Sequence, residues 1–312
     1  MAALNELGID VLGEHHGENF SLWHGDTVEV TAALPDNSVH LSVYSPPFSA
    51  LYIYSESERD MGNVADDRAF HAAYALVVRE LFRIAKPGTL TAAHVKDLVL
   101  YSNSSERGDR GLRPFMIDCL RAHLDAGWTF HGLITIERDP VKEMQKTKSD
   151  RLLFKHFRED ARRCSTGLPE YLIVFRAWKD GEQAPPVRHE PSSFPLDLWQ
   201  RWANPVWPGR DVPETDVLNV ALARAGEDEK HLCPMPLGIT ERAVRMWSNS
   251  GETIYSPFAG IGSEGVVALR CGRRFIGCEL KDSYFKQACR FLDDAEAQRG
   301  NLFDLNQQKD SA

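Results

Sequence analysis

Two short stretches hold residue types whose spacing could do chemistry. The first is Gly260-Ile261-Gly262-Ser263-Glu264-Gly265, a GxGxxG pattern, with Glu279 lying 19 residues after Gly260. Glycines so spaced let a backbone turn approach a nucleotide-like ligand closely. A carboxylate at that distance along the chain suits hydrogen bonds from ribose hydroxyls. The second stretch is Ser45-Pro46-Pro47-Phe48, which opens where an alternating apolar run stops. Proline cannot continue a central ladder, so these residues end a strand and sit at its tip.

The elements around these stretches read as α/β. A short strand precedes the glycines, and a small-residue apolar helix, Val266 to Leu269, follows them. Arg274 to Cys278 is a second strand, ending in Glu279. Only 47 residues follow Gly265, too few to complete a doubly wound sheet, so the other strands must come from earlier in the chain. The sheet is therefore expected to be circularly permuted relative to a dinucleotide dehydrogenase, whose glycine turn opens the domain.

The earlier residues supply candidates. Phe20 to His24 is a strand, Thr27 to Leu34 a short helix, and Val39, Leu41 and Val43 alternate with His40, Ser42 and Tyr44 as a further strand. Phe70, Ala73, Tyr74, Val77, Val78, Leu81 and Phe82 fall on one helical face, with Asp66-Asp67 at its start and Lys86-Pro87-Gly88 as its stop. Thr89 to Val95 is a strand, Pro114 to Gly127 a helix, and Trp128 to Ile136 a strand. Tyr171 to Phe175 is one more strand, expected antiparallel at an edge. An amphipathic helix through Ile239, Ala243, Val244 and Trp247 leads to the glycine turn.

The chain has 312 residues, 43% hydrophobic, with a formal charge of −9. Such a composition excludes disordered and fibrous chains. No apolar run approaches the ~18 residues of a membrane span, and the N-terminus lacks a signal-peptide pattern. Six cysteines without a CxxC pair argue against a disulfide scaffold and a cysteine zinc site. The expected location is the cytoplasm, with no metal. The acidic balance argues against nonspecific coating of nucleic acid but leaves room for a local basic face.

Taken together, the two motifs resemble the S-adenosylmethionine-dependent DNA amino-methyltransferases of the permuted (beta) order, which methylate N4 of cytosine or N6 of adenine. Ser45-Pro46-Pro47-Phe48 is similar to that family's early (D/N/S)-P-P-(Y/F/W) tetrapeptide. Ser256-Pro257-Phe258-Ala259-Gly260-Ile261-Gly262 is similar to its late D-P-F-x-G-x-G loop. Gly25-Asp26 resembles the early G-D element beside the cofactor adenine, and His231-Leu232-Cys233-Pro234-Met235-Pro236 the H-P-x-x-K-P segment. These motifs cover roughly 150 residues at the two ends of the chain.

The resemblance implies one Rossmann-like methyltransferase domain over 1–312, a mostly parallel sheet with helices on both faces, and S-adenosylmethionine as cofactor. It implies cofactor contacts from Asp26, Ser256, Phe258, Gly260, Gly262, Glu279 and His231, and catalytic roles for Ser45, Pro46, Pro47 and Phe48. Ser256 replaces the family's usual Asp and Met235 its frequent Lys, both near the cofactor's methionine arm. Ser at the head of the tetrapeptide goes more often with N4-cytosine, with N6-adenine as the alternative.

The tetrapeptide suits this chemistry. An aromatic amine is a poor nucleophile, because its lone pair is delocalised into the ring. The Ser45 hydroxyl and Pro46 carbonyl can accept its N–H bonds and draw it toward tetrahedral geometry, while Phe48 offers a stacking face for an extruded base. No cysteine lies beside the tetrapeptide for the covalent attack that 5-methylcytosine formation needs.

Two stretches read as insertions, 141–169 and 179–230, and are the candidate target-recognition region. Val141 to Arg163 carries eight Lys/Arg against four acids, and Asp180 to Asp228 holds seven prolines with Trp199, Trp202 and Trp207. Lys142, Lys146, Lys148, Arg151 and Lys155 are the candidate phosphate contacts, and double-stranded DNA the expected partner. A homodimer is left open. The loop Ser49 to Asn63, with Tyr52, Tyr54, Arg59 and Asp60, is placed to close over a flipped base or to be plain solvated loop. The tryptophans are expected to pack a small core, and His15-His16 to lie at the surface. Three readings stand: an active DNA amino-methyltransferase, a nicotinamide or flavin oxidoreductase resting on the glycine turn and Glu279 alone, and a noncatalytic DNA-binding relative.

Overall fold

The structure is a computed structural model that describes residues 11–47, 67–103, 107–147, 153–164, 166–220 and 234–310. In chain order it runs β1 (Gly13–His16), β2 (Phe20–His24), α1 (Thr27–Ala33), β3 (Val39–Tyr44), α2 (Asp67–Ile84) and β4 (Ala85–Lys96). A small hairpin of β5 (Leu98–Leu100) and β6 (Gly111–Arg113) follows, then α3 (Phe115–Asp125) and β7 (Thr129–Ile136). Next are α4 (Pro140–Thr147), α5 (Phe154–Glu159), β8 (Glu170–Arg176), α6 (Leu196–Trp202) and β9 (Val206–Trp207). The chain closes with α7 (Leu237–Trp247), β10 (Thr253–Ser256), α8 (Ser263–Arg270), β11 (Arg274–Glu279) and α9 (Asp282–Asp310).

Nine strands form one sheet in the order β1-β2-β11-β10-β3-β4-β8-β7-β9. The stretch from β2 to β4 is parallel throughout. The late pair β10 and β11 slots between β2 and β3 from the beginning of the chain, which is the permuted order expected from the position of the glycine turn. Side chains bury on both faces. One core gathers Phe20, Leu41, Ile239, Val244, Val266, Leu269 and Leu292 beneath α7, α8 and α9. The other gathers Trp23, Val30, Phe70, Tyr74, Val77, Val78, Leu81 and Phe115 beneath α1, α2 and α3.

The structure corrects three expectations. β8 is not an edge: it lies between β4 and β7, antiparallel to both. Leu172, Ile173, Val174 and Phe175 are all buried, and a continuous apolar run belongs to a strand covered on both faces. Second, Lys86-Pro87-Gly88 does not separate helix from strand. α2 ends at Ile84 and β4 begins at Ala85, with an irregularity opposite Val39–Leu41 that accommodates Pro87, and Gly88 at φ +85 still donating to the Ala177 carbonyl at 2.8 Å. Third, part of 179–230 is scaffold: β9 extends the sheet beside β7, and Trp207 is wholly buried in the main core. Trp202 packs edge-on to Phe194 with ring centroids 5.3 Å apart, while Trp199 is exposed. His15 and His16 lie on the edge strand β1, where His15 pairs with Asp293 of α9 at 2.8 Å.

Candidate active site

The parallel strands β2, β11, β10 and β3 end side by side, and Gly25-Asp26, the described part of the tetrapeptide, the glycine turn and Glu279 lie at those ends. Asp26 follows β2 and caps α1, its carboxylate accepting from the Val28 N–H at 2.7 Å. The neighbouring Gly25 N–H donates to the Glu279 carbonyl at 3.1 Å, tying the ends of β2 and β11 together.

The glycine turn joins β10 to α8. Gly262 has φ +92, and a Cβ there would also meet the Ala288 Cβ of α9 at 3.3 Å. Gly265 lets α8 lie flat on the sheet, since a Cβ would stand 2.5 Å from Leu292 and 2.6 Å from Phe275. Glu279 is held by two backbone donors: Gly260 N–H reaches one carboxylate oxygen at 2.8 Å, and Lys281 N–H the other at 2.8 Å. Turn and acid are thus one rigid unit. Ser256 at the end of β10 is wholly buried, with its hydroxyl unpartnered among the described residues.

One strand over, β3 delivers Tyr44 and then Ser45-Pro46-Pro47. The Ser45 hydroxyl donates to the His94 carbonyl of β4 at 3.0 Å. Tyr44 contacts the ring of Phe258, with centroids 5.9 Å apart, so the residue that leads into the tetrapeptide meets the glycine loop. Tyr44 is anchored from behind: its hydroxyl bonds Tyr74 at 3.1 Å and His123 Nε2 at 2.9 Å. His123 Nδ1 faces the Cys119 carbonyl at 2.8 Å, so Nδ1 carries the proton and Nε2 accepts from Tyr44. Burial pushes the His123 imidazole down to about 4, keeping it neutral, and it stacks on Phe175 at 4.0 Å.

Beyond Ser45 lies a network that sequence reasoning missed. His94 Nε2 meets Glu170 at 3.0 Å, and Arg138 donates to the same Glu170 oxygen at 2.6 Å. Lys96 pairs with Glu143 of α4, and Arg138 and Lys146 reach Glu214. Burial would raise the Glu170 carboxyl, but the His94 and Arg138 contacts outweigh it and hold it well below the usual carboxylate range. The signal in sequence was faint: polar and charged residues at His94 and Lys96 within an apolar strand and at Arg138 just after another.

The candidate basic cluster is only partly assembled. Lys142 is exposed on α4, and Lys155 projects from α5 with Glu159 at 3.9 Å. Lys146 is engaged by Glu143 and Glu214. Phe48, the loop Ser49 to Asn63, Lys148, Arg151 and His231 lie outside the described residues. Among the described residues no cluster of His, Cys, Asp and Glu could hold a metal ion, and no helix is long and apolar enough to cross a membrane.

Comparison with known proteins agrees with this geometry. TTHA0409 from Thermus thermophilus, a putative DNA modification methylase solved with S-adenosyl-L-methionine, superposes with a TM-score of 0.63 at 25% identity, over 89% of this chain and 96% of that one. The cytosine-N4-specific PvuII DNA methyltransferase shares the fold at 14% identity, with a TM-score of 0.63 over 94% of this chain and 97% of its own. The DNA adenine methyltransferase YhdJ of Escherichia coli K12 is 31% identical over 118 residues, 38% of this chain and 34% of that protein; this chain thus spans about a third of that relative's length. The type II methyltransferase M.MjaI of Methanocaldococcus jannaschii is 22% identical over 80% of this chain and 84% of its own. The family model N6_N4_Mtase, DNA methylase, matches residues 39–290, which displaces the oxidoreductase reading: the chain belongs to the N6_N4_Mtase family of DNA methylases.

Proposed function

We propose that this protein transfers a methyl group from S-adenosylmethionine to the exocyclic amine of a base flipped out of double-stranded DNA, with N4 of cytosine as the target atom. One observation carries the reading: Ser45, at the strand end beside the glycine turn, spends its hydroxyl proton on the His94 carbonyl. Its oxygen is left as an acceptor, which is what an aromatic amine needs as its nitrogen pyramidalises. The relative TTHA0409 was solved with the cofactor and the PvuII enzyme is cytosine-N4-specific, and both share this fold.

The residues present fit that cofactor. The Ser256 and Ser263 hydroxyls are buried without partners among the described residues, a Cβ added at Gly260 would meet no described atom within 4 Å, and the Glu279 carboxylate is fixed by two N–H groups. Glu279 would take the ribose hydroxyls and Asp26 the adenine end, Phe258, Gly260 and Gly262 would form the wall, and Ser256 and His231 would complete the cofactor contacts. Bound there, S-adenosylmethionine supplies an electrophilic sulfonium methyl. Ser45 and the Pro46 carbonyl hold the amine by its two N–H groups, and the consecutive prolines fix that carbonyl. Phe48 stacks on the base. Positioning of this kind supplies much of the rate.

The insertion 141–169, with the part of 179–230 that lies outside the sheet strand β9, forms the DNA face within a single methyltransferase domain. Lys142 and Lys155 stand out from it, and Lys148 and Arg151 complete the proposed phosphate contacts. N6 of adenine is the second reading, favoured by the similarity to the E. coli adenine enzyme. The test is to incubate unmethylated DNA with the protein and cofactor, digest to nucleosides and identify the product by mass spectrometry. N4-methylcytosine is expected and N6-methyladenine establishes the second reading. A 5-methylcytosine product, or none, overturns both.

A further inference from the structure

Three buried polar side chains around the glycine turn lack side-chain partners among the described residues. Two are the hydroxyls of Ser256 and Ser263, 0% and 2% exposed. The third is the carboxyl of Glu264 in the first turn of α8. It is 3% exposed, makes no ion pair there, and is bonded only by its own backbone N–H. α7, α9, β10 and β11 pack against α8. Of these, only β11 turns a described charged group toward Glu264, and that group is another carboxylate, Glu279.

A buried carboxylate without a cation is costly, and the group remains neutral instead. Burial, with the Glu279 charge adding to it, pushes the Glu264 carboxyl up to about 8. Such a group is poised for a cation that arrives with a ligand. Ser256 brings no charge to the position where the resemblance leads one to expect an aspartate, so the ligand's amino-acid arm needs a carboxylate from elsewhere.

We propose that Glu264 receives the α-ammonium of the cofactor's amino-acid arm, with the Ser256 and Ser263 hydroxyls completing that end of the site. The inference rests on the cofactor assignment made above. The carboxylic acid of the free protein loses its proton to solvent as the ion pair forms, and the ammonium keeps its own. Cofactor affinity therefore rises with pH below about 8, by up to tenfold per unit, and levels off once Glu264 is ionised in the free protein.

Calorimetry on the full chain at about pH 6.5, where the ligand amine is protonated, in two buffers of different ionisation enthalpy, counts the protons. S-adenosylmethionine and S-adenosylhomocysteine should each release close to one proton, and methylthioadenosine, which lacks the amino-acid arm, none. Glu264→Gln should abolish the release. Binding of S-adenosylmethionine without proton release, release retained in the variant, or release with methylthioadenosine overturns the inference. So does release with S-adenosylmethionine but not S-adenosylhomocysteine, which would point to the sulfonium. If Glu264→Gln fails to fold, the ligand series on the unaltered chain still decides. Absence of binding by any of the three ligands removes the cofactor assignment itself.

Discussion

Ser45 donates to the His94 carbonyl, so the role proposed for it in methyl transfer is that of an acceptor that strengthens as positive charge develops on the amine. Ser45→Ala should lower kcat by one to two powers of ten, the effect of losing about 1.5–3 kcal/mol from a charge-assisted bond. Affinities for DNA and cofactor, measured separately by titration, should change little. An equal loss in binding and turnover would mean that Ser45 serves only to hold the base. Glu279 fixes the turn through the Gly260 N–H, and in the proposed function it also receives the ribose. Glu279→Ala should weaken cofactor binding roughly ten- to hundredfold by calorimetry, and Glu279→Gln less, because it keeps one acceptor. These residues were legible in the sequence because their partners are close along the chain or bound to a spaced motif: Gly260 and Glu279 are 19 residues apart. His94 and Glu170 are 76 apart, a pairing that no local spacing encodes.

At the scale of elements, Glu170 is the joint between scaffold and insertion. It stands at the start of β8, braces His94 of β4 and Arg138 after β7, and lies 4.0 Å from Lys96, which in turn holds Glu143 of α4. Removing its charge leaves the nearly fully buried Arg138 without its closest partner. Glu170→Gln should therefore cost about 3–5 kcal/mol of unfolding free energy in urea titrations. The pH dependence has a definite sign. The folded carboxyl titrates below its unfolded value of about 4.3, so its stabilisation is complete above that pH and fades as pH falls beneath it. The gap between wild type and variant should narrow on acidification. A constant gap down to about pH 3 would show that the charge of Glu170 is not what stabilises. Element type and order were legible wherever periodicity was long, as on the Phe70–Leu81 face of α2. Three features were not, because each is decided by pairing partners and not by local pattern: the interior place of β8, the junction at Ala85, and the two-residue strand at Trp207.

Over the whole molecule, a chain of formal charge −9 can bind DNA only through a local basic face. The structure divides the basic cluster in two. Lys146 has its charge taken up by Glu143 and Glu214, whereas Lys142 is exposed and the Lys155 side chain is 80% exposed, with a long contact to Glu159 among the described residues. Exposed pairs of that kind contribute little and yield readily to a phosphate. Each phosphate that a lysine no longer neutralises lowers the slope of log K against log salt by about 0.9 on duplex DNA. Replacing Lys142 and Lys155 together by Gln should thus flatten the slope by roughly 1.8 and weaken binding to all sequences alike. Lys146→Gln should leave the slope nearly unchanged and instead lower thermal stability, since it unties Glu143 and Glu214. Fluorescence anisotropy with one duplex across a salt series distinguishes the two variants. A slope that moves with Lys146 and not with the other two would place the phosphate backbone against the Glu143–Glu214 joint, with the ion pairs opening to admit it.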